Sequence, residues 1–187
     1  MLALSLRFVK LTVISVLLTL TSCVKDVDVE QAEDIVIQPV VDLNLVFFNL
    51  EGQRFYDLNT NLPIPTIRDT TEIRFLDDQD IAESLRRVEF LTRYANSVPR
   101  EFTIAYRFIS EQNDTTYTFV DRVPMGMVGD TTAVEFLEVI EGDGVAQLTM
   151  ANRLVVEVNI DAAAPLLPGS LQAESATTYF LEITERE

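Results

Sequence analysis

The stretch Arg153-Leu-Val-Val-Glu-Val-Asn-Ile160 sets Leu154, Val156, Val158 and Ile160 at every second position, with Arg153, Glu157 and Asn159 between them. Successive side chains of a strand point to opposite faces, so this period of two predicts a strand with one face on a core and one toward water. The same period recurs along the chain. Val88, Phe90, Thr92 and Tyr94 share a face up to Asn96-Ser97-Val98-Pro99, and Phe102, Ile104, Tyr106 and Phe108 repeat the pattern beyond it. Glu111-Gln112-Asn113-Asp114 turns the chain back into Tyr117 and Phe119, which predicts a hairpin with a loop longer than two residues. Pro124 to Gly129 (PMGMVG) breaks it.

Working outward, Val41, Leu43, Leu45 and Phe47 alternate with Asp42 and Asn44, which predicts one strand with those four residues inward. Glu51-Gly52-Gln53 supplies a turn before Phe55-Tyr56, and the two prolines of Asn59 to Pro65 predict a loop without a ladder. Thr71, Ile73 and Phe75 form the next set; Asp69 interrupts its apolar face, so that strand is expected to start at Thr70 or Thr71. Asp77 to Leu85 carries caps and helix formers and predicts a short helical turn, as does Val145 to Asn152. Val134, Phe136 and Ile140 form one more strand, and Tyr179, Leu181 and Ile183 the last, after a loop from Ala162 to Gly169. The whole is mainly β: seven to nine short strands with one or two helical turns, a single antiparallel β-sandwich over residues 35–187. Periodicity alone does not separate a sandwich from a small closed barrel.

The N-terminus has a different grammar. Arg7 and Lys10 precede the apolar run Leu11 to Leu20, which ends in Thr21-Ser22 and the chain's one cysteine, Cys23. A charged start, a short apolar segment and small residues are the layout of a signal peptide over residues 1–22. Ten helical residues span about 15 Å, half of a bilayer's hydrocarbon core, which argues against a transmembrane anchor. Leu20-Thr21-Ser22-Cys23 resembles the lipobox of bacterial lipoproteins. The resemblance implies a diacylglyceryl group on the Cys23 sulfur, cleavage after Ser22 and acylation of the new amino group. The alternative is an ordinary signal peptide that leaves a free or structural thiol. Two or three acyl chains, at about 0.8 kcal/mol per buried methylene, would anchor the chain stably.

Residues 23–34 then read as an acidic tether, with Asp26, Asp28, Glu30, Glu33 and Asp34 against Lys25. Acids close behind the cysteine resemble the surface-export signal of lipoproteins in Bacteroidota-type bacteria, which implies an outer-membrane protein facing the periplasm or the cell surface; a solvated linker explains them equally. The helical turn before a strong strand, and Asn-x-x-Pro between two strands taken as paired, are similar to immunoglobulin-like modules of such lipoproteins.

Without residues 1–22 the remaining 165 residues carry 12 basic against 30 acidic groups, a formal charge of −18. Such a surface repels phosphate backbones, so no nucleic-acid partner is expected. There is no histidine, which removes the usual general base, the histidine-paired nucleophiles and every histidine-ligated metal site. Lys25 is the one lysine beyond the leader, and no glycine-rich phosphate loop or Gly-x-Ser-x-Gly occurs. Paired carboxylates remain, but strand-borne acids such as Glu89, Glu135 and Glu157 read as the wet face of a sheet. The chain is therefore not expected to be an enzyme or to hold a cofactor beyond the lipid. Calcium is the weak exception: Asp77, Asp78 and Asp80 gather hard oxygen ligands in one loop, and Glu141-Gly142-Asp143-Gly144 forms a second, although turns and helix caps use the same residues.

Two functional expectations follow. The first is a membrane-anchored accessory or protein-interaction subunit of an envelope machine or transporter. The second is a surface glycan- or ligand-binding lipoprotein, which requires Phe48, Phe55 and Tyr56 to be exposed together. Tyr94, Tyr106 and Tyr117 fall on core faces, where packing with a hydrogen-bonded hydroxyl is expected.

Overall fold

The computed structural model describes residues 36–161, 164 and 166–184, with the backbone but not the side chain of Asp77 and Thr184. The leader 1–22, Cys23 and the rest of the acidic tether 23–34 lie outside the described residues.

The elements run β1 (Val36–Ile37), β2 (Val40–Leu43), β3 (Phe47–Glu51), β4 (Tyr56–Asp57), β5 (Leu62–Pro63), β6 (Thr66–Glu72), α1 (Gln79–Ser84), β7 (Leu85–Asn96), β8 (Phe102–Ile109), β9 (Thr115–Val123), β10 (Thr132–Glu141), α2 (Asp143–Leu148), β11 (Arg153–Ile160), β12 (Ser170–Leu181) and β13 (Ile183–Thr184). Nine of these strands build two antiparallel sheets. One has the order β10-β7-β12, with β2 and β3 in turn along the far side of β12; the other has the order β6-β11-β8-β9. No ladder joins the two sheets among the described residues, so the architecture is an open sandwich and not a barrel.

The alternating apolar residues meet between the sheets. Val88, Phe90 and Tyr94 of β7 face Phe102, Ile104, Tyr106 and Phe108 of β8 and Leu154, Val156, Val158 and Ile160 of β11, all buried. Phe90 stands edge-on to Tyr106 at 5.3 Å, and Tyr106 stacks on Phe119 at 4.5 Å. Each such side chain contributes about 1.5–3 kcal/mol by leaving water.

Five features depart from the sequence reading. Val41, Leu43 and Leu45 lean on the core, but Phe47 points to solvent at 76 % exposure and Val46 is buried instead. Leu43 pairs with Thr177 and Phe47 with Glu174, so four steps along β2–β3 match three along β12. That extra residue is a bulge, and it reverses the inward face from Val46 onward. Second, β6 runs Thr66–Glu72: it starts before Thr70 or Thr71, because Asp69 lies on an uncovered edge strand where water still reaches it, and it ends before Ile73 and Phe75, the latter falling in the 3-10 turn Arg74–Asp77. Third, β12 starts at Ser170, well before Tyr179.

Fourth, β7 and β8 are not paired; residues 97–101 cross from one sheet to the other. Asn96 holds that corner from a fully buried position. Its Nδ2 donates to the carbonyls of Arg100 (2.9 Å) and Pro124 (2.7 Å), and its Oδ1 accepts the Val98 N–H at 2.8 Å. Gly169, at φ +89°, passes so close that an added Cβ would lie 2.3 Å from the Ser97 carbonyl oxygen. Last, the proline-bearing loop closes a two-residue ladder, Tyr56↔Pro63 and Asp57↔Leu62, tolerated because nothing pairs beyond it among the described residues.

Candidate functional site

The two flanks of the sandwich differ. Where β9 and β10 run side by side, the flank is closed. Tyr117 of β9 donates to Glu138 Oε1 of β10 at 2.5 Å, Phe136 packs edge-on against Tyr94 at 5.9 Å, and α2 lies against both strands. Behind this seal Tyr94 donates to Asp121 Oδ2 at 2.8 Å, and the Tyr106 hydroxyl, 2.5 Å from that of Tyr94, completes the chain. Burial raises the pKa of Asp121, opposed by the Tyr94 hydrogen bond and reinforced by Glu138. Burial likewise raises Tyr94 and Tyr106, and takes Tyr117 up to about 12. At neutral pH these hydroxyls are donors, not nucleophiles. The expectation that the three tyrosines pack with bonded hydroxyls is met.

The opposite flank is open. Here β3 and β6 are the edges, and among the described residues neither has a partner on its outer side. Between them lies a groove of about 390 Å³, floored by Val156, Val158, Ile67, Leu50 and Phe48. The direction of the free backbone groups can be read from the ladder. The Ile73 N–H donates to Asn152 and the Ile160 N–H to Pro65, so odd-numbered residues of this stretch turn toward β11. Thr66, Arg68, Thr70 and Glu72 therefore turn their N–H and C=O outward. On β3, Val46 exchanges bonds with Ser175, and the Gly52 N–H donates to Gly169, which leaves Phe47, Asn49 and Glu51 turned outward.

Two charges stand on the lips of this groove. Asp69 projects from the inward side of β6, and among the described residues its carboxylate accepts the neighbouring Thr70 N–H, at 2.8 Å, and no other donor. Arg54, just after β3, has no ion pair among the described residues. Arg68 points to the outer face of its sheet and is committed to Glu157. Glu157 itself corrects the sequence reading: it lies on the outer face of β11 but is buried, because Arg68 and Arg107 close over it from both neighbouring strands. Glu89 and Glu135 behave as expected on the wet face, each paired with an arginine, Arg87 and Arg93.

A larger depression of about 1140 Å³, lined mostly by polar residues, occupies one end of the sandwich; Glu72, Arg74, Glu111, Asp114, Gln147 and Arg153 are among them. Arg153 is held there by the Ser110 carbonyl at 3.1 Å and Asn113 Oδ1 at 2.9 Å.

The residues singled out from the sequence fare unevenly. Phe55 is fully buried against Phe102, Phe48 is half-buried in the groove floor, and Tyr56 is half-buried with its hydroxyl donating to the Asn61 carbonyl. The three are not exposed together, because the 3-10 turn Gly52–Phe55 rolls Phe55 into the core. Asp78 caps α1, its Oδ1 accepting the Asp80 and Ile81 N–H groups at 2.9 and 3.2 Å. That oxygen is thus committed to the helix; the Asp77 side chain lies outside the described residues, among which no group of three acids or thiols is arranged to hold an ion. Gly142, at φ +55°, makes the second acidic loop the entry to α2. Among the described residues no helix is long and apolar enough to cross a membrane.

Asp69, which the sequence reading took only as a break in a strand, and Asp121, which it passed over, share one signal: each is an acid in phase with an apolar face.

No protein-family model matches the chain, and no curated protein matches it. Solved structures resemble it loosely. A chain from the structure of infectious bursal disease virus, Gt strain, is 14 % identical, with a TM-score of 0.47 over 77 % of this chain and 33 % of that one. A protein from Parabacteroides distasonis inferred to be secreted is 14 % identical, with a TM-score of 0.43 over 65 % and 38 %. A tailspike domain of bacteriophage CBA120 is 12 % identical, with a TM-score of 0.38 over 77 % and 19 %. This chain spans well under half the length of each, and the likenesses are too loose to bear on function.

Proposed function

We propose that this protein is a lipid-anchored, non-enzymatic lipoprotein of the outer membrane that serves as an interaction subunit of an envelope machine or transporter. The N-terminal layout ending in Cys23 supports the anchor. The observation that carries the interaction role is the open flank: two edges with outward backbone groups, an apolar floor between them and Phe47 exposed at the rim. A seat of that kind suits a polypeptide better than a reacting small molecule, since it offers a row of hydrogen-bond groups and few convergent side chains. Two measurements test the reading. Cys23→Ser should move the protein from the membrane to the soluble fraction, and retention in the membrane would sink the anchor. A photo-crosslinker at Phe47 should capture a discrete envelope protein in intact cells, whereas one placed at the exposed Val120, on the far sheet edge, should not.

A glycan- or ligand-binding role is favoured by one observation, the polar depression at the end of the sandwich. If that is the binding surface, Arg153→Ala should abolish retention on immobilised polysaccharide while the Phe47 crosslink persists.

A further inference from the structure

We propose that the groove between β3 and β6 takes one extended strand of another polypeptide, added to the free edge of β6, and that Asp69 selects a strand with a lysine or arginine at its central inward position. The proposal rests on the interaction role above and names the chemistry of the partner. In β6, Thr66, Arg68 and Glu72 present outward N–H and C=O groups and Thr70 an outward C=O, the requirement for strand addition; the Thr70 N–H is held by the Asp69 carboxylate at 2.8 Å and comes free when a basic side chain takes that carboxylate. The inward rows of the sheet run from β11 to β6 as Val158–Ile67, Val156–Asp69 and Leu154–Thr71. An added strand continues those rows. It would place an apolar side chain beside Ile67, a basic one beside Asp69 and a β-branched one beside Thr71.

The Asp69 carboxylate has no ion pair among the described residues, and it sits above an apolar floor where an opposite charge gains more than in open water. An inward charge on an edge strand also discourages indiscriminate pairing, so the same residue rejects neutral and acidic strands. Arg54 on the other lip offers a complementary seat for an acid elsewhere on the strand. A second copy of this chain fits poorly. Its own flank is concave, as this one is, and the formal charge of −18 on residues 23–187 sets copies against each other.

The test uses the detergent-solubilised full chain and a fluorescent synthetic peptide of seven residues, the length of β6. The peptide alternates threonine with valine, lysine and valine. A second peptide carries glutamate for lysine, and a third repeats the first with N-methylated backbone amides on alternate residues. By anisotropy, the lysine peptide should bind at least about tenfold more tightly than either of the others, equivalent to about 1.4 kcal/mol. Asp69→Lys should reverse the order of the lysine and glutamate peptides. Thr70→Pro, which removes the outward N–H that Asp69 gives up on pairing, should weaken the lysine peptide by about tenfold or more while circular dichroism shows the sheets intact.

Equal binding of the three peptides, or binding of none, would overturn the proposal. So would concentration-dependent dimers that Thr70→Pro dissolves, since a second copy would then fill the groove. Anchorage is read independently by the Cys23→Ser fractionation. A failed peptide test with normal fractionation removes strand addition alone, and failed fractionation with normal peptide binding removes the anchor alone.

Discussion

Alternation alone predicts that Glu157→Val is nearly neutral, costing about half a kcal/mol or less like most surface changes. The structure predicts otherwise. The Glu157 side chain is 6 % exposed, gripped by Arg68 from β6 and by Arg107 from β8, whose Nη2 lies 2.9 Å from Oε2. Removing one member of a fully buried pair costs about 3–5 kcal/mol, because a stranded charge remains. Here the arginines are 61 % and 44 % exposed, so both turn to water and that penalty largely lapses. What is lost is two charge-assisted contacts, about 1 kcal/mol each at such exposure. A β-branched side chain packed mid-sheet returns up to about 1 kcal/mol. The net cost is about 1 kcal/mol.

Val156→Asp, one residue away, is the internal standard. Val156 is 7 % exposed on the core face, and a carboxylate there loses the apolar burial and gains an unsatisfied polar group, several kcal/mol together. Urea denaturation should therefore rank Val156→Asp well above Glu157→Val, with Glu157→Val clearly above zero. A double-mutant cycle with Arg107→Ala should show coupling of about 0.5–1 kcal/mol. A Glu157→Val cost indistinguishable from zero, with no coupling, would mean that water reaches the carboxylate and the arginine grip contributes nothing. A cost matching Val156→Asp would mean that the arginines are stranded, and the exposure reasoning fails.

Four further outcomes follow from the geometry. Asp121 has its pKa raised in the fold, so its stabilising contribution is present below the ordinary 3.8 and lost as pH climbs through the raised value, about 1.4 kcal/mol for each unit of rise; Asp121→Asn, which keeps an acceptor for Tyr94, should remove that fall in urea midpoint. Ser175→Ala strands the buried Val46 N–H, which donates to Ser175 Oγ at 2.8 Å, and should cost about 1–3 kcal/mol by the same assay. Gly169→Ala should cost about 2–3 kcal/mol, because positive φ and a clash with Ser97 act together; Gly129→Ala, at φ +87° with open space around it, should cost about 1 kcal/mol. Asp78→Ala should cost about 1 kcal/mol through the lost cap of α1, and calcium should not shift the thermal midpoint of either form.

Strands were legible wherever large side chains mark the inward face, as in β7, β8 and β11. The first nine residues of β12 were not, for a packing reason: its inward residues Ala173 and Thr177 stand opposite Tyr94 and Phe90 on β7, with Ser175 opposite Thr92. Large rings on one strand call for small neighbours on the next, so a central, buried strand can read as a polar loop. The bulge before Phe47 was hidden for another reason. A period of two carries no mark of where one residue is skipped, and one skip exchanges core and solvent faces for the rest of the strand. Pairing partners were out of reach too, since a short link such as residues 97–101 serves a hairpin or a crossing between sheets, and the choice rests on the buried Asn96 bonds.

The candidate site shows the same limit more sharply. Asp69 and Asp121 are the same anomaly in sequence, an acid on an apolar phase, and a strand can accommodate it by ending there, by burying the acid with a donor, or by leaving that stretch uncovered. Asp121 takes the second course because α2 and β10 seal its flank and Tyr94 supplies the donor. Asp69 takes the third, because no described strand lies beyond β6. Which course applies depends on what stands across the sandwich, a fact of topology that local pattern does not contain. An in-phase acid is thus a pointer to a flank, and coverage decides its role: sealed, it tunes stability with pH; uncovered, it is a charge positioned to meet whatever docks there.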